Sequence, residues 1–290
     1  MTTTTFAAAA QGFVRDLEED FARVAATIAQ ARASGADLLA LPEAALGGYL
    51  SSLHDDGTGG AGPDVPPVLD PDGPEIRRLA ALAGDMVVTA GYCETGDDAS
   101  GGRPYNSCVA VTGDGVLGRH RKVHQPLNEH SSYAAGDRFT AFDTPAGRIG
   151  MMICYDKAFP EAARALALDG ARTVVCMSAW PASRTDRAPV LAEDRWARRF
   201  DLHDRARALE NQIVWVSANQ AGTFGDMQLV AGAKVVDPGG EVLATTGPAP
   251  GLAVASIDVD AAVDAARRHM GHLRDRRPAT YGAAPVAAGA

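Results

Sequence analysis

The feature that most constrains this chain is an alternation of short apolar runs with amphipathic, helix-spaced segments. Val14, Leu17, Phe21, Val24 and Ile28 recur every three or four residues, the period of one helix face. Gly35 is placed to end that helix, and Leu38 to Leu41, broken by Pro42, reads as a buried strand. Pro74–Ala83 reads as a helix and Met86–Tyr92 as a strand. Asn106–Val123 reads as two strands joined at Thr112-Gly113-Asp114-Gly115, because Asp-Gly favours a tight hairpin. The second half repeats the alternation. Arg148–Ile153 is a strand, Pro160–Leu168 a helix ended by Gly170, and Thr173–Ser178 a strand. Pro189–Glu210 reads as a long mixed-charge helix, with Trp196, Phe200 and Leu209 for its buried side, and Ile213–Ala218 as a strand. Val230–Val236 pairs with Glu241–Ala244 around Asp237-Pro238-Gly239-Gly240, and Leu252–Ile257 is the last strand. Alternating strands and helices predict an α/β fold, and the hairpins mean that its sheets are not purely parallel.

The 290 residues allow one large or two small domains. No repeat or linker divides them, so residues 1–280 are expected to form one domain, with 281–290, rich in Ala and Gly, as a flexible tail. Residues 51–73, rich in Gly, Pro, Asp and Ser, are expected to form a surface loop long enough to be a lid or an interface element. The 27 basic against 36 acidic side chains give a formal charge of −9, which argues against nucleic acid as a partner. No apolar stretch approaches the roughly 20 residues of a membrane span. Met1–Ala10 lacks a basic region, and Asp16, Glu18, Glu19 and Asp20 follow, so no secretion signal is read and a cytoplasmic protein is expected.

Four cysteines are widely spaced, with no Cys-x-x-Cys pair and no histidine at zinc-finger spacing, so neither a structural metal nor a disulfide framework is expected. Cys93, Cys108 and Cys176 lie in apolar strand-like runs and read as reduced core residues. Cys154 differs: it follows Gly150-Met151-Met152-Ile153, where a strand turns toward a helix. Backbone N–H groups and a helix dipole there favour a thiolate. Glu43, just past the first strand, is a carboxylate able to take the thiol proton. Lys122, at the end of the hairpin strand, is a cation able to stabilise an oxyanion. Taken singly, each is more often a solvated charge or a core thiol than a catalyst. His120 and His124 flank Lys122 without the Asp or Cys pattern of a metal site. The charges of Arg195, Arg198, Arg199, Asp201, Asp204, Arg205 and Arg207 read as a solvated or subunit-facing surface, and Arg274-Asp275-Arg276-Arg277 as a surface patch.

Leu41-Pro42-Glu43, Arg121-Lys122-Val123-His124 and Gly150-Met151-Met152-Ile153-Cys154-Tyr155-Asp156, with Phe159-Pro160-Glu161 behind, resemble the nitrilase superfamily of carbon–nitrogen hydrolases. The resemblance begins at Gly35-Ala36-Asp37 and takes in Tyr105-Asn106-Ser107, Ser178-Ala179-Trp180-Pro181, Ala206 to Gln212, and Val236-Asp237-Pro238-Gly239-Gly240. It implies a four-layer α-β-β-α sandwich of two mixed β-sheets flanked by helices, assembled as a homodimer or higher homo-oligomer. Glu43 takes the role of general base, Cys154 of nucleophile, and Lys122, with the backbone N–H of Tyr155, of oxyanion hole. Glu129, ahead of Gly136-Asp137, matches a second glutamate that holds the lysine and orients substrate; a loop surface charge is the other reading of that position.

The implied activity is cofactor-free hydrolysis of a small linear amide to acid and ammonia through a cysteine thioester. Tyr155-Asp156 stands where nitrilases of the superfamily carry Trp-Glu, which favours an amide over a nitrile. Ala158 stands where omega-amidases carry an arginine for a substrate carboxylate, which counts against a dicarboxylate monoamide. Lys157, beside it, reads as a solvated side chain. Tyr49 and Trp180 follow motif strands and line either the pocket or the core. The competing readings are hydrolysis of an N-carbamoyl amine or amino acid, nitrile hydrolysis, acyl transfer, and a catalytically silent scaffold.

Overall fold

Strands buried on both faces set the architecture. A computed structural model describes residues 3–53 and 65–282 of the chain. The first half runs β1 (Thr4–Ala10), α1 (Leu17–Ala33), β2 (Leu38–Ala40), β3 (Val68–Leu69), α2 (Pro74–Ala83), β4 (Val87–Glu94), β5 (Tyr105–Thr112), β6 (Gly115–Arg121) and α3 (Glu129–Ser132). The second runs β7 (Ala141–Thr144), β8 (Gly147–Ile153), α4 (Pro160–Leu168), β9 (Thr173–Ser178), α5 (Arg195–Asn211), β10 (Val214–Asn219), β11 (Ala221–Phe224), β12 (Met227–Val230), β13 (Lys234–Val236), β14 (Val242–Thr245), β15 (Gly251–Ile257) and α6 (Val259–His269). Among the described residues, no helix is long and apolar enough to cross a membrane.

The strand order is β6-β5-β4-β2-β1-β10-β9-β8-β7. The middle of the array is parallel, from β4 through β2, β1, β10 and β9 to β8, and antiparallel hairpins close both edges. The period-two alternation of each strand divides its side chains between two layers. Phe6, Ala8 and Ala10 of β1 face Met151, Ile153, Val175, Met177, Val214 and Val216 across one apolar core between the two halves of the array. Ala7 and Ala9 point the other way, onto Phe21, Val24 and Ile28 of α1 and Leu79 of α2. In the second half Met152, Cys176 and Trp215 face outward, onto Ala163 and Leu166 of α4 and Ala208 of α5. The result is the four-layer α-β-β-α sandwich. Its two halves are not separate sheets, however. β1 and β10 meet in parallel at Ala10 and Asn219, so the described strands join into one thirteen-stranded sheet folded on itself.

Several boundaries differ from the sequence reading for local reasons. α5 starts at Arg195 because the Asp194 carboxylate accepts from the backbone N–H of Trp196 at 2.8 Å and caps the helix there. Leu209 is exposed rather than buried on that helix. Val230 belongs to β12, and left-handed backbone at Ala231 and Gly232 separates it from β13. β1 escapes the sequence reading because a Thr-Thr-Phe-Ala-Ala-Ala-Ala run lacks the β-branched signature of a strand. β7, the β11–β12 hairpin and α6 were not anticipated either. Of the expected 51–73 loop, residues 65–73 contain the short β3, and 54–64 lie outside the described residues, as do 283–290 of the expected tail.

Candidate active site

Glu43, Lys122 and Cys154 sit beyond the carboxyl ends of their strands, where parallel α/β sheets gather their sites. Glu43 lies three residues past β2, in a turn whose next residue, Ala44, has φ 54°. Lys122 follows β6 directly, and Cys154 follows β8 directly. Cys154 has φ 50°, the left-handed region that L side chains adopt only when their surroundings hold them there. The strained turn breaks β8 and begins a short 3₁₀ segment through Ala158.

The structure brings Glu43, Lys122 and Glu129 into one buried cluster. Lys122 Nζ donates to Glu43 Oε1 at 2.8 Å and to Glu129 Oε1 at 3.0 Å, and lies 2.8 Å from Glu129 Oε2. All three side chains are fully buried. The three N–H donors of the ammonium thus face two carboxylates. Burial pulls the Lys122 pKa down, but the Glu129 and Glu43 carboxylates outweigh it, so the lysine is held protonated. Burial likewise pushes Glu129 up against the pull of Lys122. Asn106, at the start of β5, donates from Nδ2 to both Glu43 Oε1 and Glu129 Oε1 at 2.7 Å. Tyr49 donates its hydroxyl to Glu129 Oε1 at 2.9 Å. The second Glu43 oxygen accepts from the Ala179 backbone N–H at 2.6 Å, and Gln220 donates to the Glu43 carbonyl at 2.9 Å. Donors from several separate segments thus hold the Glu43 and Glu129 carboxylates and restrict the Glu43 and Lys122 rotamers.

Cys154 lines a pocket of about 280 Å³ together with Tyr49, Tyr155, Ala158, Ala179 and Trp180. Burial and the nearby Glu43 charge push its thiol well up, while Lys122, the Ala179 N–H and Lys157 pull it down. The group is therefore held as a thiol. A wider groove of about 600 Å³ beside β6 is lined by none of Glu43, Lys122, Glu129 or Cys154.

A second set of buried charges holds the Cys154 turn, and the sequence reading missed its role. Asp156 accepts from Ile153 N at 3.1 Å, His124 N at 2.8 Å, His124 Nδ1 at 2.9 Å and His120 Nε2 at 3.1 Å. The histidines flanking Lys122 thus tie the lysine strand to the Cys154 turn. Burial alone would raise the Asp156 carboxyl; the two imidazoles and the backbone donors bring it below the ordinary range. Lys157 is fully buried, not solvated. Its Nζ pairs with Asp204 at 2.8 Å, and Lys234 reaches the other Asp204 oxygen at 2.8 Å. Arg207 donates to the carbonyls of Lys157 and Ala158 at 2.8 and 3.1 Å. Part of the supposed solvated face of α5 is therefore the support of the Cys154 turn. A mixed-charge string reads as surface because the partners, Lys157 and Lys234, are distant in sequence.

Comparison with known proteins places this fold in the nitrilase superfamily. The chain belongs to the carbon-nitrogen hydrolase family, whose sequence profile matches residues 6–267. An (R)-stereoselective amidase of a Pseudomonas species is 34% identical over 251 residues, 84% of this chain and 81% of that protein. The carbon-nitrogen hydrolase from Helicobacter pylori G27 superposes with TM-score 0.78 at 24% identity, covering 96% of this chain and 97% of that one. An amidase from Nesterenkonia sp. AN1, solved with the acetamide moiety of fluoroacetamide covalently added at its active site cysteine, gives TM-score 0.72 at 22% identity, covering 95% and 94%.

Proposed function

We propose that this chain hydrolyses a small linear amide to a carboxylic acid and ammonia through a cysteine thioester. The observation that carries this reading is the buried Lys122 ammonium, fixed between Glu43 and Glu129 at 2.8 Å from each, in the same constellation as the pocket-lining Cys154. The amidase names of the relatives support an amide as the substrate.

Glu43 accepts the Cys154 thiol proton as sulfur bonds to the substrate carbonyl carbon. The carbonyl electron pair moves to oxygen, where the Lys122 ammonium and the Tyr155 backbone N–H stabilise it. Collapse of the tetrahedral intermediate breaks the C–N bond, and Glu43 passes its proton to the leaving nitrogen, which departs as ammonia. Glu43 then deprotonates a water that attacks the thioester. Collapse of that second intermediate releases the acid and returns the proton to sulfur. Glu129 keeps Lys122 in place and orients the amide, and Asn106 holds the two carboxylates. The proton cycle needs the thiol and the carboxylate to be close in pKa once substrate excludes water, so the titration belongs to the pair.

The test is ammonia release from aliphatic amides, omega-amides, N-carbamoyl amines and nitriles, with Cys154→Ala alongside. Amide-dependent ammonia that vanishes in Cys154→Ala, with an unchanged circular dichroism spectrum, is the expected result. Cys154-dependent ammonia from nitriles or N-carbamoyl amines alone would replace the amide reading, and none from any class would refute hydrolysis.

A further inference from the structure

The Cys154 pocket is apolar over most of its wall, through Leu53, Pro126, Leu127, Trp180 and Trp196, and no carboxylate lines it among the described residues. One face of α5 supplies the exception. Trp196, Arg199 and His203 stand at i, i+3 and i+7, so all three turn toward the same side, and all three line the pocket. The other pocket-lining polar groups are Tyr49, Tyr155 and Cys154, none of them cationic.

Among the described residues, Arg199 differs from Arg195, Arg205 and Arg207 in having no side-chain partner, and from Arg198, which has none either, in lining the pocket. Arg195 reaches Asp186 and Ser183, Arg205 donates to the Gly240 carbonyl, and Arg207 holds the Lys157 and Ala158 carbonyls and pairs with Glu210. Arg199 has no ion-pair or hydrogen-bond partner among the described residues, although it stands in the wall of an otherwise apolar pocket. His203, one turn on, does not share the charge. Burial first, then the positive field of Lys157, Arg207 and Arg199, lowers its pKa to about 4, so it is a neutral imidazole at physiological pH. Among the described residues the pocket wall therefore carries one permanent cation, with five forked donors and no partner for them.

We propose that Arg199 binds a carboxylate at the far end of the substrate, making the preferred substrate a linear amide of a dicarboxylic acid with one end free. This rests on the amide-hydrolase reading of the same site. A single cation matches a monoanion, a planar guanidinium matches a carboxylate bidentately, and the apolar wall matches a methylene linker. Ala158 lines the same pocket with a single methyl. The absence of an arginine at that position does not exclude a carboxylate, because α5 presents one instead.

The experiment compares kcat/KM for succinamate, glutaramate and adipamate with neutral amides in which an alkyl group replaces the carboxylate. Wild type, Arg199→Gln, Arg199→Lys and Cys154→Ala are run together. Arg199 is exposed, so its substitution leaves the fold intact. The expected result is a wild-type preference of at least tenfold for the best carboxylate-bearing amide. That preference falls about 10- to 100-fold in Arg199→Gln, mostly through KM, as for the loss of a charge-assisted hydrogen-bonded pair. Arg199→Lys restores part of it. A preference that is missing in wild type, or that survives Arg199→Gln, overturns the Arg199 assignment while Cys154-dependent turnover of neutral amides upholds the hydrolase. No Cys154-dependent turnover of any amide overturns both.

Discussion

Gly91→Ala puts a methyl group into the closest backbone approach around Glu43. A Cβ at Gly91 of β4 would stand 2.3 Å from Ala44 N, 2.7 Å from Glu43 Cα and 2.8 Å from Glu43 C. Ordinary Cβ contacts begin at 3.4 Å, so the Glu43 turn must recede by about 1 Å. It has little freedom to do so. Gly91 N donates to the Pro42 carbonyl at 3.2 Å, and Leu46 N donates to the Gly91 carbonyl at 3.1 Å, pinning the turn on both sides of Glu43. Overpacking of this kind costs about 1–3 kcal/mol, which lowers Tm by roughly 2–10 °C in a chain of this size. The larger effect is catalytic. Glu43 Oε1 sits 2.8 Å from Lys122 and Oε2 sits 2.6 Å from the Ala179 N–H. A displacement of about 1 Å at a reacting group costs about 10²-fold in rate. The assay is kcat/KM for Cys154-dependent ammonia release, with Tm followed by circular dichroism. Wild-type kcat/KM together with wild-type Tm would show that the turn tolerates the methyl and that Glu43 is not held as described.

Lys122→Ala should cut kcat about 10²- to 10³-fold or more, the loss of an oxyanion donor, and should also lower Tm, because Glu43 and Glu129 would face each other buried without their cation; a change confined to KM would refute the oxyanion role. Glu43→Gln should abolish turnover yet shift the iodoacetamide profile of Cys154 to lower pH, since the Glu43 charge is one of the two largest causes raising that thiol; an unchanged or upward midpoint would contradict their proximity. Asp156→Asn should lower Tm at neutral pH. The Asp156 carboxyl is held below its ordinary range, so its contribution is present above the unfolded value of about 4 and lost as pH falls below it. The Tm difference between Asp156→Asn and wild type should therefore shrink between pH 5 and pH 3, and a constant difference would argue against the His120–Asp156–His124 clamp.

Much of the scaffold was legible because its signals are local. α2, α4 and β9 fall on the residues expected, since Pro opens each helix and Gly84 or Gly170 follows closely. The hairpin at Gly113-Asp114 forms between Thr112 and Gly115, which pair directly. Glu43, Lys122 and Cys154 were visible as residues at strand ends, because a strand boundary can be read from its own sequence.

What the sequence left undecided involves partners far apart in the chain. Whether Glu129 was a surface charge or part of the site depended on Tyr49 and Asn106, which lie 80 and 23 residues away. Asn106 stood only within the Tyr105-Asn106-Ser107 motif, with no role read for it, and Gln220 gave no signal beyond being polar after an apolar strand. Lys157 and Asp204 read as solvated charges because nothing local distinguishes a lysine that will be buried against an aspartate 47 residues on. Arg199 was grouped with its helix neighbours, and only the tertiary structure separates it from them. Sequence fixes which residues share a strand or a helix face through periods of two and 3.6. Burial of a charge costs several kcal/mol unless a partner arrives, and that partner is chosen by how the sheet folds on itself.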